Sequence, residues 1–96
     1  MEGAADWTHR GTYIAKHSRT PLVANEALSD PDRLVLDPDP ASRSGRTQRV
    51  IGWSTTIGLL VTVIVLPDKG ALWGVNAWLS NPTDQRRYRE ERTDED

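Results

Sequence analysis

The chain of 96 residues has no cysteine, no phenylalanine, one methionine and two histidines. Without cysteine there is neither a disulfide framework nor a thiolate metal site, so an intracellular, cytoplasmic protein is expected. His9 and His17 would need several converging carboxylates to hold zinc. No metal and no cofactor are therefore expected. Because phenylalanine is missing, four tryptophans and two tyrosines must supply the large apolar side chains of a small core. The start, MEGAADWTHRG, lacks a basic segment leading into an apolar run and does not read as a secretory signal.

An unbroken apolar run of about 20 residues, the length of a membrane-spanning helix, is also lacking. The nearest approach is VIGWSTTIGLLVTVIVL over residues 50–66, followed by Pro67. Its first third carries Gly52, Ser54, Thr55, Thr56 and Gly58, too polar for lipid and suited to a strand entering a turn. LLVTVIVL at 59–66 is short and β-branched, as in a central strand buried on both faces. Two strands are expected here. A single-pass membrane helix is the competing reading.

What is present is the composition of an ordinary globular chain, 36% hydrophobic and 27% charged, enough for one domain with one modest core. The net charge of −2 is unevenly spread. Residues 1–45 hold seven acidic and five basic groups, residues 46–92 hold seven basic and four acidic groups, and the terminal TDED adds three negative charges. A nucleic-acid partner is thus compatible with the middle and C-terminal part, although net charge alone would not suggest one.

Helices are expected over 8–17 and 21–29, the second opened by Thr20-Pro21 and given an apolar face by Val23, Ala24, Ala27 and Leu28. Strands follow at 33–37, 46–54, 59–66 and 71–79, with a loop at 38–45 and a turn at Pro67-Asp68-Lys69-Gly70. Alternation places Thr47, Arg49, Ile51 and Trp53 on one face of the second strand. In the fourth it groups Trp73, Val75, Ala77 and Leu79 against Leu72, Gly74, Asn76 and Trp78. Asn81-Pro82 opens a last helix, with Asp84 placed as the carboxylate half of a capping box. The sum is an α+β domain over 1–92, two helices, a four-stranded antiparallel sheet and a C-terminal helix, with a disordered acidic tail at 93–96.

The ordered pieces AKHSRTP…NEALSDPD, GRTQRVIGWS, LLVTVIVL and VNAWLSNPTDQRRYREE cover nearly the whole chain. Together they resemble the BrnT family of toxins, in the RelE-like group of bacterial toxin–antitoxin ribonucleases. Lys16-His17, Glu26-Ala27, Asp30-Pro31, Arg46, Arg86 and Tyr88 follow the family outline. Three positions depart from it: Asn76 and Trp78 stand where the family has a hydroxyl and an arginine, and Asp84 stands where it has glutamate.

The resemblance implies a RelE-like fold and a type II toxin that cleaves mRNA without a metal, by attack of the 2′-hydroxyl. The implied partners are a cognate antitoxin, in a hetero-oligomer, and an RNA substrate. Arginine suits such chemistry because its planar fork holds two phosphate oxygens at once. The implied catalytic set is Arg46, Arg49, Arg86 and Tyr88. Asn76, Arg87, Trp53 and Trp78 would bind substrate, the indoles by stacking on unpaired bases. A non-catalytic binding module on the same fold is the rival reading. Its residue-level counterparts are surface pairs of Arg86 with Glu90 and Arg87 with Glu91, and packing roles for Tyr88 and the tryptophans.

Overall fold

A computed structural model describes residues 5–7 and 21–94. The helix expected over 8–17 lies outside the described residues. The described chain is α+β: helix α1 (Pro21–Leu28), strands β1 (Leu34–Leu36), β2 (Gln48–Ser54), β3 (Leu59–Asp68) and β4 (Ala71–Leu79), then helix α2 (Pro82–Asp94). The strands form one antiparallel meander in the order β1-β2-β3-β4. Helix α2 runs to Asp94, two residues into the stretch expected to be tail.

The apolar run of 50–66 is folded back on itself. Ser54 pairs with Leu59, and the intervening turn closes with Gly58 in the left-handed region, its N–H donating to the Ser54 carbonyl over 2.8 Å. No helix among the described residues is long and apolar enough to cross a membrane. The β3–β4 connection is tighter than the four-residue turn expected, because Pro67 and Asp68 remain paired with Leu72 and Ala71. Lys69 and Gly70 alone turn the chain, both with positive φ, and such a two-residue turn follows the right-handed twist of its strands.

Each face of the sheet has its own cover. On one face Val50, Val61, Val63, Val65 and Ala77 pack under Val23, Ala24, Ala27 and Leu28 of α1. The helix sits close because residue 52 is glycine: a Cβ there would overlap the Ala27 carbonyl. Trp7 extends this layer, buried over Gly74, where a Cβ would collide with the indole. Its Nε1–H and the Ala5 N–H both donate to Asn25 Oδ1 at 3.0 Å. Asp6 bridges β4 in parallel through the Leu72 carbonyl and the Gly74 N–H.

One facial assignment is corrected. Asn76 lies opposite Ile64 but Gly74 lies opposite Val65, so Val75 is an unopposed extra residue in β4. A bulge of one residue reverses the alternation beyond it. Ala77 therefore shares the α1 face with Gly74 and Leu72, and Trp73 joins Asn76 and Trp78 on the opposite face.

Candidate functional site

The second face is built in rows. Arg49, Ile64 and Asn76 lie across from one another, then Ile51, Thr62 and Trp78. Trp53 and Leu60 start the next row, and Ser80, just past β4, donates its N–H to the Leu60 carbonyl. Helix α2 crosses the β1–β2 side of this face and brings Asp84 and Tyr88 down onto it.

Asp84 is fully buried and surrounded by donors. Arg49 Nη1 reaches both of its carboxylate oxygens at 3.1 Å, Arg87 Nη1 reaches Oδ1 at 3.0 Å, and the Thr62 hydroxyl reaches Oδ2 at 2.8 Å. Arg49 is itself held from a second side, its Nε donating to Asp39 Oδ1 at 2.8 Å. Two carboxylates thus meet two guanidiniums in a chain Asp39–Arg49–Asp84–Arg87. Buried charges persist only when paired and bonded in this way. Because the single Thr62 proton goes to Asp84, the 2.8 Å contact between Thr62 and Ser80 has Ser80 as donor. The guanidinium carbon of Arg49 also lies 5.5 Å from the Trp78 ring centre.

This arrangement revises the expectation for Asp84. Asn81 caps the helix alone, its Oδ1 accepting the Asp84 N–H at 2.8 Å. The Asp84 carboxylate turns inward to the arginines instead of back to the cap. Arg87, a substrate-binding residue by the resemblance and a partner of Glu91 by the rival reading, pairs with Asp84.

Arg49, Arg87, Trp78 and Asn76 therefore share one face, and Tyr88 and Trp53 sit further along it. Arg49 is engaged by carboxylates at Nε and Nη1, so holding a phosphate with them would break a buried pair. Tyr88 is buried and donates its hydroxyl to Asp30 Oδ2 at 2.8 Å. Asn76 Oδ1 accepts the Ala77 N–H at 2.9 Å, closing a donor of β4. The other two members of the expected catalytic set stay apart. Arg46 precedes β2, exposed, 3.7 Å from Asp68 at the far end of β3. Arg86 is on the solvent side of α2.

Three acids carry structural weight that the sequence reading gave to none of them: Asp39 went unremarked, and Glu26 and Asp30 stood only as matches to the family outline. Asp30 and Asp39 each precede or follow a proline in a loop, a context that suggests exposure, yet both are buried. Asp30 Oδ2 accepts the Trp53 N–H at 2.9 Å where β1 is too short to continue the ladder. Glu26 reaches from α1 to the β2–β3 turn and accepts from the Ser54, Thr55 and Thr56 hydroxyls and the Thr56 N–H. Those bonds, the Thr56 hydroxyl foremost and then Ser54, lower its pKa from 4.5 to about 2. The one available signal was the hydroxyl triplet Ser54-Thr55-Thr56 at a strand end.

Around Trp53 the surface is concave. Clefts of about 430, 200 and 380 Å³ meet at its indole. The first is lined by Asp30, Asp32, Leu60, Tyr88 and Arg89; the second adds Leu59, Leu79, Ser80 and Gln85; the third adds Glu26, Ser29, Pro31 and Thr55. Among the described residues no three His, Asp or Glu side chains converge as a metal site. No family model, curated protein or solved structure matches this chain.

Proposed function

We propose that the chain is the toxin-like half of a type II toxin–antitoxin pair, on a RelE-like fold, working as a partner-binding module rather than as a ribonuclease. The observation that supports this reading is the state of the catalytic set implied by the resemblance. Arg49 lies in a buried ion network, Tyr88 is bonded to Asp30, and Arg46 and Arg86 lie away from both on exposed surface. Metal-independent RNA cleavage needs donors and acids converging on one phosphate. These four residues do not converge. The expected partner is a small antitoxin in a cytoplasmic hetero-oligomer.

The test is induction in a bacterial host, wild type beside Arg46→Ala and Arg86→Ala, following growth and the integrity of total mRNA. Intact mRNA with folded protein is the expected result. Shortened mRNA, restored by either substitution, would return the chain to the ribonucleases.

One observation favours that second reading: the half-exposed Trp53 indole shares a cleft with Arg89 and Tyr88, a base-stacking platform beside a cation. On that reading, mRNA shortening would persist in Arg46→Ala and disappear in Trp53→Ala and Arg89→Ala.

A further inference from the structure

The largest exposed aromatic side chain of the described residues stands at the meeting point of the three clefts. Trp53 is 45% exposed, and Leu59 and Leu79, which line one cleft with it, are 49% and 37% exposed. Isolated apolar side chains on a surface need no explanation, but an apolar cluster with an indole at its centre and a polar rim has the anatomy of an interface. Leu22, Val35 and Ile57 are also exposed, and none of them lines these clefts.

The charges on the rim select the occupant. The ionisable groups lining the three clefts, apart from the Tyr88 phenol, are Glu26, Asp30 and Asp32 against the single guanidinium of Arg89. Asp30 and Asp32 share one cleft with Arg89, two carboxylates against one guanidinium, and the cleft lined by Glu26 and Asp30 is lined by no cation. Glu26 stays ionised at neutral pH because its carboxylate is held by hydroxyl and amide donors. An indole face with carboxylates beside it attracts a lysine or arginine twice, through the ring quadrupole and through charge.

We infer that the Trp53 surface docks a basic amphipathic segment of a partner protein. Its apolar side chains fill the groove of Leu59, Leu60 and Leu79, and a lysine or arginine lies on Trp53 toward Asp30 and Asp32. A nucleic acid would set its phosphates against the acid side of the same surface. A second copy of this chain would bring a rim with the same excess of acid. This inference rests on the partner-binding reading and specifies the partner's chemistry.

The experiment uses the full chain and three fluorescently labelled probes: a 16-residue leucine/lysine amphipathic peptide, its leucine/glutamate counterpart, and a single-stranded decaribonucleotide. Anisotropy titrations at moderate salt should show the lysine peptide binding at least tenfold more tightly than the glutamate peptide or the RNA. Trp53→Ala and Asp32→Lys should each weaken lysine-peptide binding about fivefold or more. Leu22→Ala should leave it unchanged. Circular dichroism melts establish that each variant is folded, and Trp53→Phe, which keeps an aromatic ring, supplies a milder version of the same test.

Equal affinity for the two peptides, tighter binding of the RNA, or indifference to both Trp53 substitutions would overturn the inference. So would sedimentation showing a homodimer that Trp53→Ala dissolves, because the occupant would then be a second copy. The two readings fail separately. Loss of peptide selectivity with intact mRNA removes only the docking inference, whereas mRNA shortening removes the non-catalytic reading whatever the peptides do.

Discussion

The two faces of this sheet are made from alternate residues of the same strands and are stabilised by different physics. Under α1 the contacts are apolar: valines 50, 61, 63 and 65 against alanines and aliphatics, with Gly52 admitting the helix backbone. Under α2 the centre is ionic, with Asp84 bonded to Arg49, Arg87 and Thr62 and Arg49 bonded again to Asp39. The apolar face is non-directional and tolerates substitutions of similar volume. The ionic face is directional. It fixes four separate pieces of chain, the 38–45 loop, β2, β3 and α2, to one another through a few bonds, and it fails abruptly when one charge loses its partners.

That contrast sets the order of expected effects. The largest belongs to the ionic face: Asp84→Ala or Arg49→Ala should cost about 3–5 kcal/mol, because each leaves buried charge uncompensated. In a domain of this size such a loss lowers Tm by more than about 10 °C, measurable by thermal denaturation. A cost below about 1 kcal/mol for both would erase the distinction between the faces. Next comes Gly52→Ala on the α1 face, about 1–3 kcal/mol through forced separation of helix and sheet. Denaturant titration of that variant reports the cost directly, and a neutral result would mean the helix does not sit where the structure has it.

A smaller effect sharpens the comparison at the edge of the α1 face. Glu26 has a folded-state pKa of about 2 against an ordinary 4.5, so its bonds to the β2–β3 turn favour folding fully above pH 4.5. That contribution fades as the pH falls from 4.5 toward 2. Glu26→Gln should therefore lower stability modestly at neutral pH, by about 1 kcal/mol after solvent screening, and flatten the Tm-against-pH profile over that acidic window. Parallel Tm-against-pH curves for the two proteins that never converge in acid would remove Glu26 from this role. The smallest effect belongs to the surface: Arg46→Ala should change stability by less than about 0.5 kcal/mol, since its pair with Asp68 is long and exposed. A larger loss, read in the same melts, would show that the exposed pair is not the ordinary surface contact described.

Much of the fold is local and was readable as such. The alternation of β2, the five consecutive buried residues Val61–Val65 of the central strand, the Pro21 helix start and the Asn81-Pro82 start all follow from short-range periodicity and turn chemistry. The candidate site was readable only in part. Alternation within β2 and within β4 is local, and it groups Asn76 with Trp78; that Arg49 shares their face follows only from the pairing of β2 and β4 on either side of β3. That Arg49 would meet Asp39 and Asp84 rather than solvent was not readable, since those contacts join residues 10 and 35 positions apart.

By itself the amino-acid sequence determined which of the described segments become strand or helix and which residues of β2 share a face, since both depend on neighbours within a turn or two of chain. Tertiary structure alone decided the bulge at Val75 that sends Trp73 to the other face, the burial of Asp30, Asp39 and Asp84, and the exposure of Trp53. The physical reason is range. Propensity and periodicity act between adjacent residues, whereas the environment of a charge or an indole is fixed by whichever distant elements the packing brings against it.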